Sequence, residues 1–288
     1  MANVTSPAHL SHFYREAPVL EDADGTRHWI TRGANFVVVA TEAKAGATLV
    51  RTAENQQDEY MVLLPEEVGC EVTAGQDSVR SAGDGLIIVP PGDSVLIMPE
   101  GGWVYRVFSK LSEDLLARAV NADDYAGSVP FVADLVTWPE PVGGYKLRCY
   151  DLDKYVRSDT TMRLFRTRHL MINVFLPNKA PRDILKLSPH SHADFEQGSL
   201  AIRGAYIHHM RYPWTPDQTT WRDDEHLVAS TPSLLIIPPQ VVHTSQSVGN
   251  AGMRLVDIFA PPREDFSLKP GLVCNADEYP LPAELTEK

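Results

Sequence analysis

The sequence predicts an all-β protein made of two tandem copies of one β domain, with short helices in the connectors. Three observations carry that reading. The 22 prolines and 18 glycines in 288 residues divide the chain into many short elements joined by turns. The run Gly85-Leu86-Ile87-Ile88-Val89-Pro90-Pro91-Gly92 returns as Ser233-Leu234-Leu235-Ile236-Ile237-Pro238-Pro239-Gln240, offset by 148 residues. Upstream of each run lies a matching acidic segment, Asp58-Glu59-Tyr60-Met61-Val62-Leu63-Leu64 in the first half and Phe195-Glu196-Gln197-Gly198-Ser199-Leu200-Ala201 in the second.

Taken in order, the elements fall into three segments. Residues 1–120 form the first domain, in which Thr26-Arg27-His28 precedes an apolar strand; Thr167-Arg168-His169 is its echo in the second. Ser112-Glu113-Asp114-Leu115-Leu116 reads as a short helix with Ser112 at its N-cap and acids in its first turn, closing that domain. Residues 121–160 are a connector containing Pro130, Pro139, Pro141, Gly143 and Gly144, with a strand near Tyr145-Lys146-Leu147-Arg148-Cys149-Tyr150. Residues 161–288 form the second domain, and the proline-rich tail after Phe259 is expected to pack along its surface.

Composition excludes several classes. A formal charge of −12 argues against a nucleic-acid surface, which needs clustered Lys and Arg. Three widely separated cysteines, Cys70, Cys149 and Cys274, form neither a disulfide framework nor a Cys-x-x-Cys pair, and the start of the chain has no apolar signal-peptide core. No stretch approaches a membrane span. A cytoplasmic protein is expected.

The chemistry concentrates in His190-Ser191-His192-Ala193-Asp194-Phe195-Glu196 and in His243, 47 residues beyond Glu196. Two histidines spaced by two on a strand leave the same face, so their imidazoles converge without special backbone geometry. Glu196 follows from the next turn, and His243 can close the set from a neighbouring strand. Placing Glu59 against Glu196 sets Ala53 and Asn55 opposite His190 and His192, and the Pro-Pro pairs set Val95 opposite His243. The first copy is therefore expected to hold no metal. The second copy carries 11 extra residues before His243, around His209 to Arg222. With Trp214, Trp221, Tyr212, Arg211 and Arg222, this insertion reads either as a lid or substrate wall or as an aromatic plug or dimer contact.

His190-x-His192-x3-Glu196-x7-Gly204, then Pro238-x4-His243, resembles the two short motifs of the cupins, small jelly-roll (double-stranded β-helix) barrels, and the duplication resembles a bicupin over residues 30–110 and 165–262. The resemblance implies that His190, His192, Glu196 and His243 hold one divalent transition metal. Fe(II) and Mn(II) lead, with Ni, Co and Zn as further options, because imidazole and carboxylate donors suit all of them. It also makes a homodimer a reasonable expectation. The match departs from the family pattern in the seven residues before Gly204 and in Gln240, which stands where a glycine is common.

Around this set, His208 and His209 are adjacent on a strand, so only one faces inward, and Tyr206 shares the parity of His208. His208 and Tyr206 are the acid-base candidates. Arg203, Arg211, Trp214 and Trp221 are the substrate-contact candidates, for a small and in part anionic substrate. Gln197 is expected to face water. Three functions follow in order: an oxygenase of an enolisable, phenolic or carboxylate substrate; a redox-neutral isomerase, lyase or decarboxylase of a small sugar acid or carboxylate; and a non-catalytic barrel that binds a small molecule.

Overall fold

The structure, a computed structural model, describes residues 4–286. It contains two β-barrels of matching strand order. One large sheet runs Arg148–Asp151, Gly85–Val89, Tyr60–Leu64, Gly102–Ser109, Phe36–Ala43, Arg27–Arg32, Leu20–Glu21; the other runs His9–His12, Ser233–Ile237, Gln197–Arg203, Arg254–Phe259, Met171–Val174, Leu164–Arg166. From the second strand to the sixth the two orders correspond. Each barrel is closed by a smaller sheet: Ala47–Arg51, Ser94–Met98, Cys70–Ala74, Asp77–Ser81 in the first, and Glu225–Ser230, Ala205–Arg211, Val242–Ser247 in the second.

The outermost strand of each large sheet comes from outside its own barrel. His9–His12 pairs antiparallel with Ser233–Ile236 of the second barrel, while Arg148–Asp151 of the connector pairs with Gly85–Ile88 of the first. Neither barrel is thus a contiguous stretch of chain: part of residues 1–120 and part of the connector cross over.

The large sheets face one another, which explains why their strands read as continuous apolar runs rather than alternating ones. Phe36, Val38 and Ala40 share one core with Leu200, Ile236 and Val256 of the opposite barrel, whereas Val37 and Val39 point into the first barrel with Val62, Ile87 and Leu96. Burying one Leu or Ile side chain is worth roughly 1.5–3 kcal/mol, so this shared core binds the halves into one unit. By contrast Ala47–Arg51, in a small sheet with a wet face, alternates buried and exposed residues.

Two sequence expectations change here. The tail is exposed along Leu268, Lys269 and Pro270, as expected, but it is not merely laid on the surface: Tyr279 is buried in the shared core and donates to Glu59 Oε1 at 2.7 Å. The Glu113–Leu116 helix has Ser112 at its N-cap position, but the hydroxyl makes no capping bond. No helix among the described residues is long and apolar enough to cross a membrane.

Candidate metal centre

The interiors of the two barrels differ. In the first, Tyr60, Val62, Leu96 and Met98 fill the space between the sheets. Strand register gives Gln197, Ser199, Ser245 and Ser247 as their counterparts in the second. Small and polar side chains there leave a broad cleft that reaches His190, Gln197, Tyr206, His243 and Asp257.

His190, His192 and His243 meet at its inner end, each offering a ring nitrogen, all within 4.8 Å of one another. His190 and His243 lie opposite each other through a pair of backbone bonds, His190 N to His243 O at 3.1 Å and His243 N to His190 O at 2.7 Å. The Nδ1 of His190 lies 2.9 Å from Ser188 O, and that of His243 lies 2.9 Å from Val241 O. A carbonyl can only accept, so Nδ1 carries the proton in both rings and Nε2 keeps its lone pair for a ligand. Burial pushes His192 down to about 3 and His243 down to about 4, which keeps both rings neutral at physiological pH.

Glu196 does not join them. Its Oε2 accepts from Ala34 N at 2.5 Å and its Oε1 from Tyr125 OH at 2.9 Å, both outside the second barrel. The side chain that faces the imidazoles belongs to Gln197, whose Oε1 lies 2.9 Å from His192 Nε2 and 3.4 Å from His243 Nε2. Adjacent residues entering a strand point to opposite faces, and here the register gives the interior to Gln197, Ser199 and Ala201. The expectation that Glu196 points inward and Gln197 outward is therefore reversed. Asp257 Oδ1 accepts from Gln197 Nε2 at 2.9 Å and fixes the amide, and complete burial raises the Asp257 carboxyl to about 7.

The first-barrel counterparts are also corrected. Arg51 pairs with Ser94 as His190 pairs with His243, and Gln56 O accepts from Gly92 N as His192 O accepts from Gln240 N. Arg51, Gln56, Tyr60 and Ser94, not Ala53, Asn55 and Val95, thus stand at the four equivalent places. They satisfy one another: Arg51 Nε donates to Gln56 Oε1 at 3.0 Å, and Tyr60 and Ser94 hydroxyls meet at 2.9 Å. The sequence comparison slipped because the loop from Arg51 to Tyr60 is two residues longer than that from His190 to Gln197.

Of the adjacent histidines, His208 faces inward. It is buried, with Nδ1 2.8 Å from Ser245 Oγ and no partner at Nε2, and burial pushes it down to about 4. His209 turns out toward His226 and Gln246. Tyr206 lines the cleft, but its hydroxyl donates to Arg203 O at 3.3 Å and burial raises its pKa.

The four expected substrate contacts lie elsewhere. Arg203 pairs with Glu66 at 2.5 Å and Arg211 with Asp224 at 2.5 Å, both on the outside. Trp214 and Trp221 stack on each other with ring centres 4.5 Å apart and remain exposed. None of the four borders the cleft at the imidazoles. The insertion instead begins with Tyr212, buried with Met210, Val241 and Ile237, which closes that end of the barrel. Sequence reading turned Gln197 outward and passed over Asp257; the polar parity Gln197, Ser199 against Gly198, Leu200 was the available signal for the first.

No protein-family profile and no curated protein matches the chain by sequence. Solved structures do match in three dimensions. A cupin 2 conserved barrel domain protein from Leptotrichia buccalis aligns over 90% of this chain and 100% of its own, at 9% identity and a TM-score of 0.51. A Bacillus subtilis oxalate decarboxylase, described with Mn(II) centres, aligns over 100% of this chain and 87% of its own, at 12% identity and a TM-score of 0.58. The oxalate decarboxylase of Lactobacillus farciminis, in a formate complex, aligns over 91% and 87%, at 12% identity and a TM-score of 0.56. At these identities the likeness is one of fold.

Proposed function

We propose, on the premise that the chain has the two-barrel cupin fold, that it is a metal-dependent enzyme working by redox-neutral chemistry on a small carboxylate, as a decarboxylase, lyase or isomerase. The observation that carries this reading is the amide of Gln197 among three imidazoles. The donor set fits a divalent ion of the borderline class: two rings have their Nε2 freed by Nδ1–carbonyl bonds, and an amide oxygen completes the set. Mn(II) and Fe(II) suit it, as do Co(II), Ni(II) and Zn(II).

A divalent ion held there supplies Lewis acidity to a coordinated substrate oxygen. Because all four donors are neutral, its full double charge remains to attract an anion, and a higher oxidation state finds no anionic donor for compensation. That favours the redox-neutral reading over the oxygenase. Asp257 holds Gln197 in place, Ser245 holds His208 on the interior wall, and Tyr212 with Met210 and Val241 keeps water from the closed end. His208 is neutral, with its Nε2 buried and without a partner behind the cleft lining, so it adds no charge beside the imidazoles.

Metal analysis of protein purified without chelator, followed by a screen of small carboxylates and sugar acids with and without oxygen, tests the reading. Turnover at equal rates under argon and in air is expected. Turnover that consumes oxygen in step with substrate restores the oxygenase.

A further inference from the structure

Four arginines border the cleft: Arg157, Arg163, Arg182 and Arg254. Three are neutralised by carboxylates, Arg157 by Asp159, Arg163 by Asp84, and Arg254 by Asp84 and Glu66. Arg182 has no carboxylate within salt-bridge distance among the described residues, in a chain of formal charge −12. Its guanidinium is nevertheless held in place. Nη1 donates to Ser245 O at 2.7 Å and Nη2 to Ser188 Oγ at 2.7 Å, while its backbone N donates to Ser247 O at 3.0 Å.

These anchors fix where the charge sits. Ser245 lies two residues from His243 on one strand, and Ser188 lies two residues before His190. Two residues of extended chain span about 7 Å, so on the Ser245 side the anchor stands that far along the strand from His243. On the other side Ser188, whose carbonyl meets the His190 ring, places the cation beside the imidazoles. A guanidinium presents five donors, and the two anchoring bonds leave others for a ligand in the cleft.

We propose that Arg182 is the anion-binding residue of this site and pairs with a second anionic group of the substrate, away from the end that meets the imidazoles. The proposal rests on the metal-centre reading and narrows its substrate class. A dicarboxylate or acidic sugar whose two anionic groups are separated by two or more carbons spans the gap; oxalate, with adjoining carboxylates, does not. Arg182 thereby takes the role that Arg203 and Arg211, both engaged on the outer surface, leave open.

The test uses the full-length protein loaded with Co(II), whose visible spectrum reports ligands entering the centre, titrated with succinate and with oxalate. Arg182→Met is expected to take up cobalt like the wild type, to weaken succinate binding tenfold or more as a charge-assisted contact is lost, and to leave oxalate within about twofold. Arg182→Lys keeps the charge without the fork and should fall between. Unchanged succinate affinity in cobalt-loaded Arg182→Met, equal losses for both acids, or a wild-type spectrum that responds to neither acid overturns the proposal alone. A wild type that takes up no cobalt overturns the metal reading and this proposal with it.

Discussion

Glu59 and Glu196 hold the same place in the two barrels, and each ends on a tyrosine from beyond its own barrel: Glu59 on Tyr279 at 2.7 Å, Glu196 on Tyr125 at 2.9 Å. The duplicated carboxylates therefore serve the contact between the barrels. Gly33 shows how close that contact is, because a Cβ there would stand 2.7 Å from Glu196 Oε2 and 2.8 Å from the Phe36 ring.

The neighbours Glu196 and Gln197 should separate on substitution. Gln197→Ala is expected to lower metal affinity about tenfold or more and to abolish turnover, with melting temperature little changed. Glu196→Ala leaves the Ala34 N–H without its acceptor and should cost roughly 1–3 kcal/mol of stability at unchanged metal affinity. Metal titration and urea unfolding of the two variants check this; loss of metal affinity in Glu196→Ala with its retention in Gln197→Ala reverses the assignment.

Glu59 predicts a pH dependence of stability. Burial raises its carboxyl from 4.5 to about 7, against the smaller opposing effects of Tyr279 and Arg148. Folding thus favours the protonated form: its contribution is complete below 4.5, declines as pH rises, and is gone above about 7. The difference corresponds to roughly 3 kcal/mol. Glu59→Gln keeps an acceptor for Tyr279 and removes the charge, so it should unfold at higher urea than the wild type at pH 8 and converge with it near pH 4.5. Parallel pH profiles would falsify the claim.

Two turns give opposite glycine effects. Gly204 has φ of 101°, and a Cβ would run into Met253 Cγ and Cβ, so Gly204→Ala should destabilise by several kcal/mol. Gln240 adopts φ of 65°, a left-handed conformation that suits glycine, at the place where the first barrel has Gly92. Gln240→Gly should therefore be neutral or stabilise by about 1 kcal/mol. Thermal melts of both variants decide the matter.

Removing metal should silence the proposed activity without unfolding the protein. After dialysis against chelator the far-ultraviolet circular dichroism is expected to persist, because the shared core and the filled first barrel do not involve the imidazoles. Activity should return on adding back one equivalent of Mn(II) or Fe(II). Collapse of the spectrum on chelation would assign the ion a structural role instead.

The repeat, the all-β class and the meeting of His190, His192 and His243 were legible because they depend on composition and on the period of a strand. The exchange of Glu196 for Gln197 was not, since one position of register turns a side chain to the opposite face and only strand pairing decides it. Motif spacing favoured the carboxylate; the geometry favours the amide. The arginines failed for a different reason. Whether a guanidinium is free for a ligand depends on the carboxylates that reach it, and Glu66 and Asp224 are distant in sequence from Arg203 or across a hairpin from Arg211.

The pairing of His9 with Ile236 has a consequence for synthesis. A ribosome makes the first of these strands long before the second, so the second barrel cannot close its outer edge until most of the chain has emerged. The opening segment must wait unpaired, or on a temporary partner, while the first barrel takes shape. Such distant closure slows folding, and it leaves His9–His12 as the unpaired strand that a chaperone or a sister chain would meet first.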